Sequence, residues 1–355
     1  MDKSRKITLA DVAKRANVSP ITVSRALREP GKVSAAARDR IEAAIRATGY
    51  VPDPAARALA SGRTDVIGVI IPSVTNNVFA EVLRGVYAGV EGTPFGIQLG
   101  NSRYSPVMEE DLIRVFLSQR PAGMIVTGHD QSPAARRLLA GANCPVVQIM
   151  ETGRDPIDMQ VGFSHYDAAR AATAHLLDEG YRRPGFIGAR MDPRSQRRLA
   201  GFQDQAEQAG VLDPARIVTT GEPSSVSMGA RLFADLISRH PGTDSVFCNN
   251  DDLALGVLFE CQRRHIAVPR ALGIIGFNDL EMMAAAEPPL SSVSTDRRGM
   301  GERAIAMLRD RIAGGDPAQV QVDLGFQLMA RRSTARLQPH EFAGGVAAYS
   351  SPATE

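Results

Sequence analysis

The chain has 355 residues, 44% of them apolar and 23% charged, with no tryptophan and three cysteines, Cys144, Cys248 and Cys261, an odd set at wide spacings. No apolar run approaches the roughly 20 residues that span a bilayer, and the charged N-terminus "MDKSRKITLADVAKR" has no apolar h-region, so membrane, secreted and disulfide-stapled classes are not expected. The net charge of +2 is uneven: residues 1–63 hold 13 Lys and Arg against 6 Asp and Glu, a balance of +7, and the remainder carries −5. These features predict a cytoplasmic protein of more than one domain, with reduced, buried thiols. A basic unit on an acidic body reads as a polyanion-binding head or as a solvated basic arm.

Residues 1–50 parse into short helices with little loop between them. Thr8 is placed to cap a helix over 9–16, with Asp11 as its capping-box partner. Ser19 caps and Pro20 starts a second short helix, on which Val18, Val23 and Leu27 form an apolar stripe. Ser34 caps a third over 35–48, and Gly49 ends it; there Ile41, Ala44, Ile45 and Thr48 share a face and Glu42 pairs with Arg46. Two short helices joined by a tight turn and braced by a third make a helix-turn-helix unit, whose second helix enters the major groove of DNA. On that helix Arg25 can fork onto guanine, and Ile21 can only pack on a thymine methyl or sugar. Thr8, Pro20, Thr22 and Ser24 face the backbone, where hydroxyls suit phosphate oxygens, and Arg28 and Lys32 add charge. The bland alternative is a small helical bundle that binds another protein.

Residues 51–63 follow, with Asp53 and Pro54 at the start of a helix over "PAARALAS" and Gly62 stopping it. A lone helix of this length is unfolded in water. Paired with a second copy on DNA it orders, with Ala56 at the contact and Leu59 as a wedge in the minor groove; otherwise it is a flexible linker.

From residue 64 to 338 short apolar runs alternate with amphipathic helices. "VIGVII", "FGIQLG", "AGMIVTG" and "PVVQIM" read as buried parallel strands, with helices near 77–91, 106–119 and 132–142. A second series comprises "MQVGFS", "RPGFIGA", "RIVTT", "SVFCN" and "LGIIGF", with helices near 166–180, 195–209, 226–239 and 252–265. Alternation of this kind predicts an α/β fold of two similar, doubly wound lobes. Ligands of such sheets sit beyond the carboxyl ends of strands. Those ends hold Ser73 and Phe79, Glu151, Asn250 and Asn278, with Arg194 and Arg198 at the start of a helix after "FIGA", a set suited to a polyol carrying a negative group. Residues 339–355 read as an unstructured tail without heptads. No P-loop, HExxH or CxxC is present and the six histidines are scattered, so no catalytic centre, metal or cofactor is expected.

The segments "TLADVAKRANVSPITVSRAL", "VSAAARDRIEAAIRATGYVPDPAARALASG", "DVIGVIIPSV", "RRLAGF", "NNDDLALG" and "IIGFNDLE" resemble the lactose/galactose repressor family of bacterial transcription regulators. Within it, "LGNSRY", "QIMETG" and the stretch from "PIDMQVGFSHYD" to "FIGAR" look like the gluconate-utilisation repressors. The resemblance implies a body similar to periplasmic sugar-binding proteins, with several crossovers between lobes and residues 291–322 returning to the first. It implies a homodimer that represses transcription from near-palindromic operator DNA. It also implies an effector, gluconate or a related sugar acid, contacted by Arg198, Asn250 and Asn278. Many relatives carry aspartate at position 278, so asparagine there eases entry of an anion. The alternative is a sugar-binding or sugar-modifying protein with a fused helical head.

Overall fold

A computed structural model of the chain describes residues 7–28, 30–51 and 62–336. Contacts divide the chain into two units, Met1–Thr64 and Asp65–Glu355. The expected helix over "PAARALAS", with Ala56 and Leu59, and the tail 339–355 lie outside the described residues.

The head contains α1 (Leu9–Ala16), α2 (Pro20–Arg28) and α3 (Ala35–Thr48) around a small core of Val12, Ala13, Ala16, Val23, Ala26, Ile41 and Ala44. The Asp11 carboxylate accepts from both the Thr8 N–H (2.8 Å) and the Thr8 hydroxyl (2.7 Å). Ser19 Oγ accepts from the Thr22 N–H at 3.2 Å. Asn17 takes the left-handed conformation between α1 and α2, φ 53°, and gives the turn its tightness. Ser34 stands at the N-cap of α3 but its side chain makes no cap bond, a departure from the expected role.

The body contains two six-stranded sheets. The first has the order β11-β5-β4-β3-β1-β2, from β1 (Val66–Ile71), β2 (Gly96–Asn101), β3 (Gly123–Thr127), β4 (Val146–Ile149), β5 (Met159–Gly162) and β11 (Gln321–Asp323), all paired in parallel. The second has the order β12-β10-β9-β8-β6-β7, from β6 (Pro184–Ala189), β7 (Ile217–Thr220), β8 (Ser245–Cys248), β9 (Gly273–Asn278), β10 (Ser291–Ser294) and β12 (Gln327–Met329), the last antiparallel. Helices α4 (Asn77–Val90), α5 (Pro106–Ser118), α6 (Pro133–Ala140) and α12 (Arg297–Ile312) serve the first sheet. Helices α7 (His165–Asp178), α8 (Pro193–Gln208), α9 (Val226–Arg239) and α10 (Asp251–Arg263) serve the second, and α11 (Glu281–Ala285) follows β9.

The strand "MQVG" was expected to open the second series but pairs with β4 in the first sheet, and the chain crosses only after it. Residues 291–294 pair with β9 in the second sheet, so the return to the first lobe begins at α12 rather than at residue 291. A third crossing joins β11 to β12. Among the cysteines, Cys248 and Cys261 are buried while Cys144 is half-buried, and none forms a disulfide.

Helix α12 docks on α4 at backbone distance. A Cβ added to Gly301 would lie 2.2 Å from the Val82 carbonyl oxygen, and one at Gly85 would lie 2.0 Å from that of Arg298. Alanine normally stabilises an open helical position by ~1 kcal/mol over glycine. Here the added carbon meets backbone that cannot give way, so Gly301→Ala is expected to reverse that sign and lower the melting temperature by several degrees in a thermal scan.

Candidate functional site

The carboxyl ends of the two sheets face one another across a cleft of about 230 Å³. It is lined by Ser73, Phe79, Arg194, Arg198, Asn250 and Asn278 among the residues expected from sequence. A cavity below the usual ~300–1,000 Å³ of drug-sized sites suits a monosaccharide-sized ligand.

Arg198 is its most constrained group. The side chain is buried; Nε donates to His165 Nδ1 at 3.2 Å, Nη1 donates to the Asn249 carbonyl, and the guanidinium lies 3.7 Å over the Phe277 ring. Burial pulls its pKa down to about 10. Among the described residues no carboxylate forms an ion pair with it, although Asp192, Asp251 and Glu151 act on it at longer range, and the remaining N–H groups of Nη1 and Nη2 are the donors left for whatever enters the cleft. Arg194 differs: its Nη2 is engaged by Asp192 at 2.7 Å. Burial pushes the Asp192 carboxyl up, but Arg194 and the Ser195 N–H outweigh burial and bring it down to about 2. Asn250 caps α10, accepting from the Leu253 N–H at 3.1 Å and donating to Ser224 Oγ at 2.6 Å. Asn278 is buried with φ 112°, a conformation that costs an asparagine energy and is retained where the surroundings impose it.

Glu151 does not line this cleft. It is buried behind it, where Arg197 Nη1 lies 2.9 Å from Oε2 off the line of its N–H bonds, so that oxygen accepts no aligned hydrogen bond. Arg197 also donates to both oxygens of Asp130, at 2.8 and 3.2 Å. A side chain of the second lobe thereby braces two carboxylates of the first. The sequence alternation places Glu151 at a strand end, but not on which side of the strand its carboxylate packs.

Sequence reasoning also passed over Tyr104 and Arg190. These face each other from opposite lobes, the guanidinium 4.0 Å from the ring centroid, while Asn76 Nδ2 donates to the Tyr104 hydroxyl at 3.3 Å. Both lie just beyond strand ends, after β2 and β6, where the same rule about parallel sheets would have found them.

In the head, Pro20, Ile21, Arg25 and Lys32 are exposed, Ile21 by 68%. Thr22 and Ser24 are half-buried on the same helix, and the Thr22 hydroxyl is shared with Ser19 at 2.8 Å. The Thr8 hydroxyl gives its proton to Asp11, which leaves its lone pairs rather than its proton for an incoming partner. Arg28 ends α2.

Among the described residues no helix is long and apolar enough to cross a membrane, and no group of three or more His, Cys, Asp or Glu could hold a metal ion.

Burial raises the Glu151 carboxyl from about 4.5 to about 7, with Arg197 opposing the rise. A carboxyl raised in the fold binds its proton more tightly there than in the unfolded chain. Its contribution is therefore full at acid pH and is lost as pH climbs from near 4.5 through 7. Glu151→Gln removes that dependence. The melting temperature of Glu151→Gln relative to wild type is expected to rise from pH 5 to about pH 7 and to level off by pH 8; a flat difference would show the carboxylate ionised throughout.

Two family models match the chain: bacterial regulatory proteins of the lacI family over residues 8–53, and the periplasmic binding protein-like domain over 173–334. The HTH-type transcriptional regulator GntR of Pseudomonas aeruginosa is 42% identical over 327 residues, covering 92% of this chain and 95% of that protein. A LacI-family transcriptional regulator from Silicibacter pomeroyi superposes with a TM-score of 0.87 at 34% identity, over 93% of this chain and all of the other. The transcription regulator GntR from Chromobacterium violaceum superposes at 0.74 with 40% identity, over 76% and 99%. These relatives are regulators and not enzymes, which sets aside the sugar-modifying alternative. With its helix-turn-helix head and two-lobed α/β body, the chain belongs to the LacI family of DNA-binding transcriptional regulators.

Proposed function

We propose that this regulator is a cytoplasmic homodimeric repressor that binds a near-palindromic operator and responds to gluconate or a closely related sugar acid held between its lobes. The observation that carries the ligand is Arg198, a buried guanidinium with no carboxylate partner in a polar cleft. A carboxylate meeting its free edge forms a charge-assisted hydrogen bond where water is scarce. Asn278 offers its amide to the hydroxyls of an open-chain polyol and Asn250, whose Nδ2 is shared between Ser224 and Asn249, the second lone pair of its Oδ1, with Ser73, Arg194 and the Phe79 ring at the walls. A neutral sugar would leave the guanidinium unmatched, which costs more than one missing contact. The names of the GntR regulators that this chain resembles agree with such a ligand.

A second copy has a surface to dock on. Val74, Leu83 and Tyr87 line an apolar groove on the first lobe, with Val74 and Tyr87 more than half exposed. Two heads then meet two half-sites. Arg25 reads bases, Lys32 and Arg28 neutralise phosphates, and the segment with Ala56 and Leu59 enters the minor groove between them. Ligand binding disfavours that arrangement by a coupling free energy of ~1–3 kcal/mol and releases the operator.

Two outcomes test this reading. Gluconate at ~100 times its dissociation constant adds ~2.7 kcal/mol to the bound state, so it is expected to raise the melting temperature while glucose and ribose do not. Arg198→Ala abolishes the rise; stabilisation by neutral sugars with sugar acids inert would overturn the assignment. On DNA, Arg25→Ala is expected to cost ~1–3 kcal/mol on the operator and to relax preference at one base pair. Lys32→Ala weakens operator and random DNA alike and flattens the salt dependence, as binding titrations at two salt concentrations would reveal.

A further inference from the structure

His165 is the first residue of α7, immediately after the chain first crosses between lobes, and it is fully buried. Its Nε2 lies 3.1 Å from the Met150 carbonyl, at the end of β4 in the first lobe. A carbonyl only accepts, so Nε2 carries the proton. Its Nδ1 lies 3.2 Å from Arg198 Nε in the second lobe, and a guanidinium only donates, so Nδ1 carries the lone pair. Both partners require the same neutral tautomer. The ring is packed 4.3 Å from Phe163 and 5.8 Å from Phe277, the ring that also carries the Arg198 guanidinium.

The geometry points to His165 as a positioning residue: its neutral imidazole orients the Arg198 guanidinium toward an anionic effector and ties that guanidinium to the backbone of the opposite lobe. This rests on the reading of Arg198 as the effector's anion contact. Without the lone pair at Nδ1, Nε loses its partner, and the planar fork is left to the Asn249 carbonyl and the Phe277 face to orient. The tie continues beyond the imidazole. Met150 lines the cleft with a left-handed backbone, φ 77°, and its N–H points to Met300 Sδ of α12 at 3.1 Å. A shift of Arg198 on binding is therefore felt at the end of β4 and at the helix that returns the chain to the first lobe. Among the described residues the charged groups acting on the ring are Arg198, Arg194 and Arg197, all from α8; burial first, and then these arginines, hold His165 well below its ordinary pKa, with the Met150 carbonyl opposing.

The test uses the full-length protein labelled with ¹⁵N at histidine, together with calorimetric titration of gluconate. His165 is expected to keep the Nε2–H tautomer from pH 5.5 to 8, with or without gluconate. His165→Phe, which retains the volume but neither hydrogen bond, is expected to weaken gluconate at least tenfold. His165→Gln, whose amide offers one acceptor and one donor, recovers most of that loss. An imidazolium or an Nδ1–H tautomer in wild type would overturn the proposal, as would wild-type affinity in His165→Phe or equal loss in both variants. Should wild type bind no gluconate, the effector reading falls, and the tautomer still decides whether His165 orients Arg198.

Discussion

A guanidinium has been taken out of water at Arg198 without a carboxylate to meet it, and much of the body is arranged around that charge. Stripping an ion of water is costly unless other groups replace the hydration shell. Here the replacement is built from neutral parts: the Asn249 carbonyl, the His165 lone pair and the face of Phe277. Asn249 can present its carbonyl because its own side chain is spent on the Ala189 backbone, accepting from the N–H at 3.4 Å and donating to the carbonyl at 3.0 Å, which stitches β8 to β6. Charge that is tolerated but not neutralised keeps its long-range pull for an anion.

The body couples its lobes through unlike contacts. Arg197 reaches from α8 to Asp130 and Glu151, Arg190 stacks on Tyr104, and His165 hangs between Arg198 and Met150. One apolar core runs beneath them, with Val161 and Ile305 of the first lobe continuous with Phe186, Phe247 and Phe277 of the second. The backbone bordering the cleft is strained. Tyr104, Met150, Arg190, Asn278 and Asp279 all have positive φ without being glycine. Such residues store energy that a small shift between lobes can release or increase. Their position at strand ends, where the ladder stops constraining them, is where a ligand's contacts act with the most leverage.

The sequence makes the head and the order of strands and helices readable, because Thr8, Asp11, Ser19 and Pro20 are local signals and strands such as "VIGVII" are short, mainly apolar runs. What escapes it is non-local. "MQVG" looks like any other buried strand, and nothing in its four residues says whether β4 or β6 is its neighbour. The late elements β10, β11 and β12 are three or four residues long, too short for periodicity, and are strands only because an edge is waiting for them. Arg194 and Arg198 share a helix and a residue type, yet one is paired with Asp192 and the other is not; only the fold distinguishes them. Glu151 sits at a strand end as the alternation requires, but its carboxylate faces Arg197 and not the cleft. His165 gave no sign at all, since a histidine at a helix start reads as an ordinary surface residue until the first crossing buries it.

The edge strands β11 and β12 lie close together in the chain, between Gln321 and Met329, and each completes a different sheet. Synthesis runs from the other end. The described core of the head lies within residues 9–50 and is made before the first lobe has properly begun. Both lobes stand with an open edge through nearly the whole of translation, and they close within a few residues of one another. A chain that ends before Gln321 therefore does not lose one lobe and keep the other: it leaves two unfinished sheets behind a finished head, whose DNA contacts no ligand-binding body can answer.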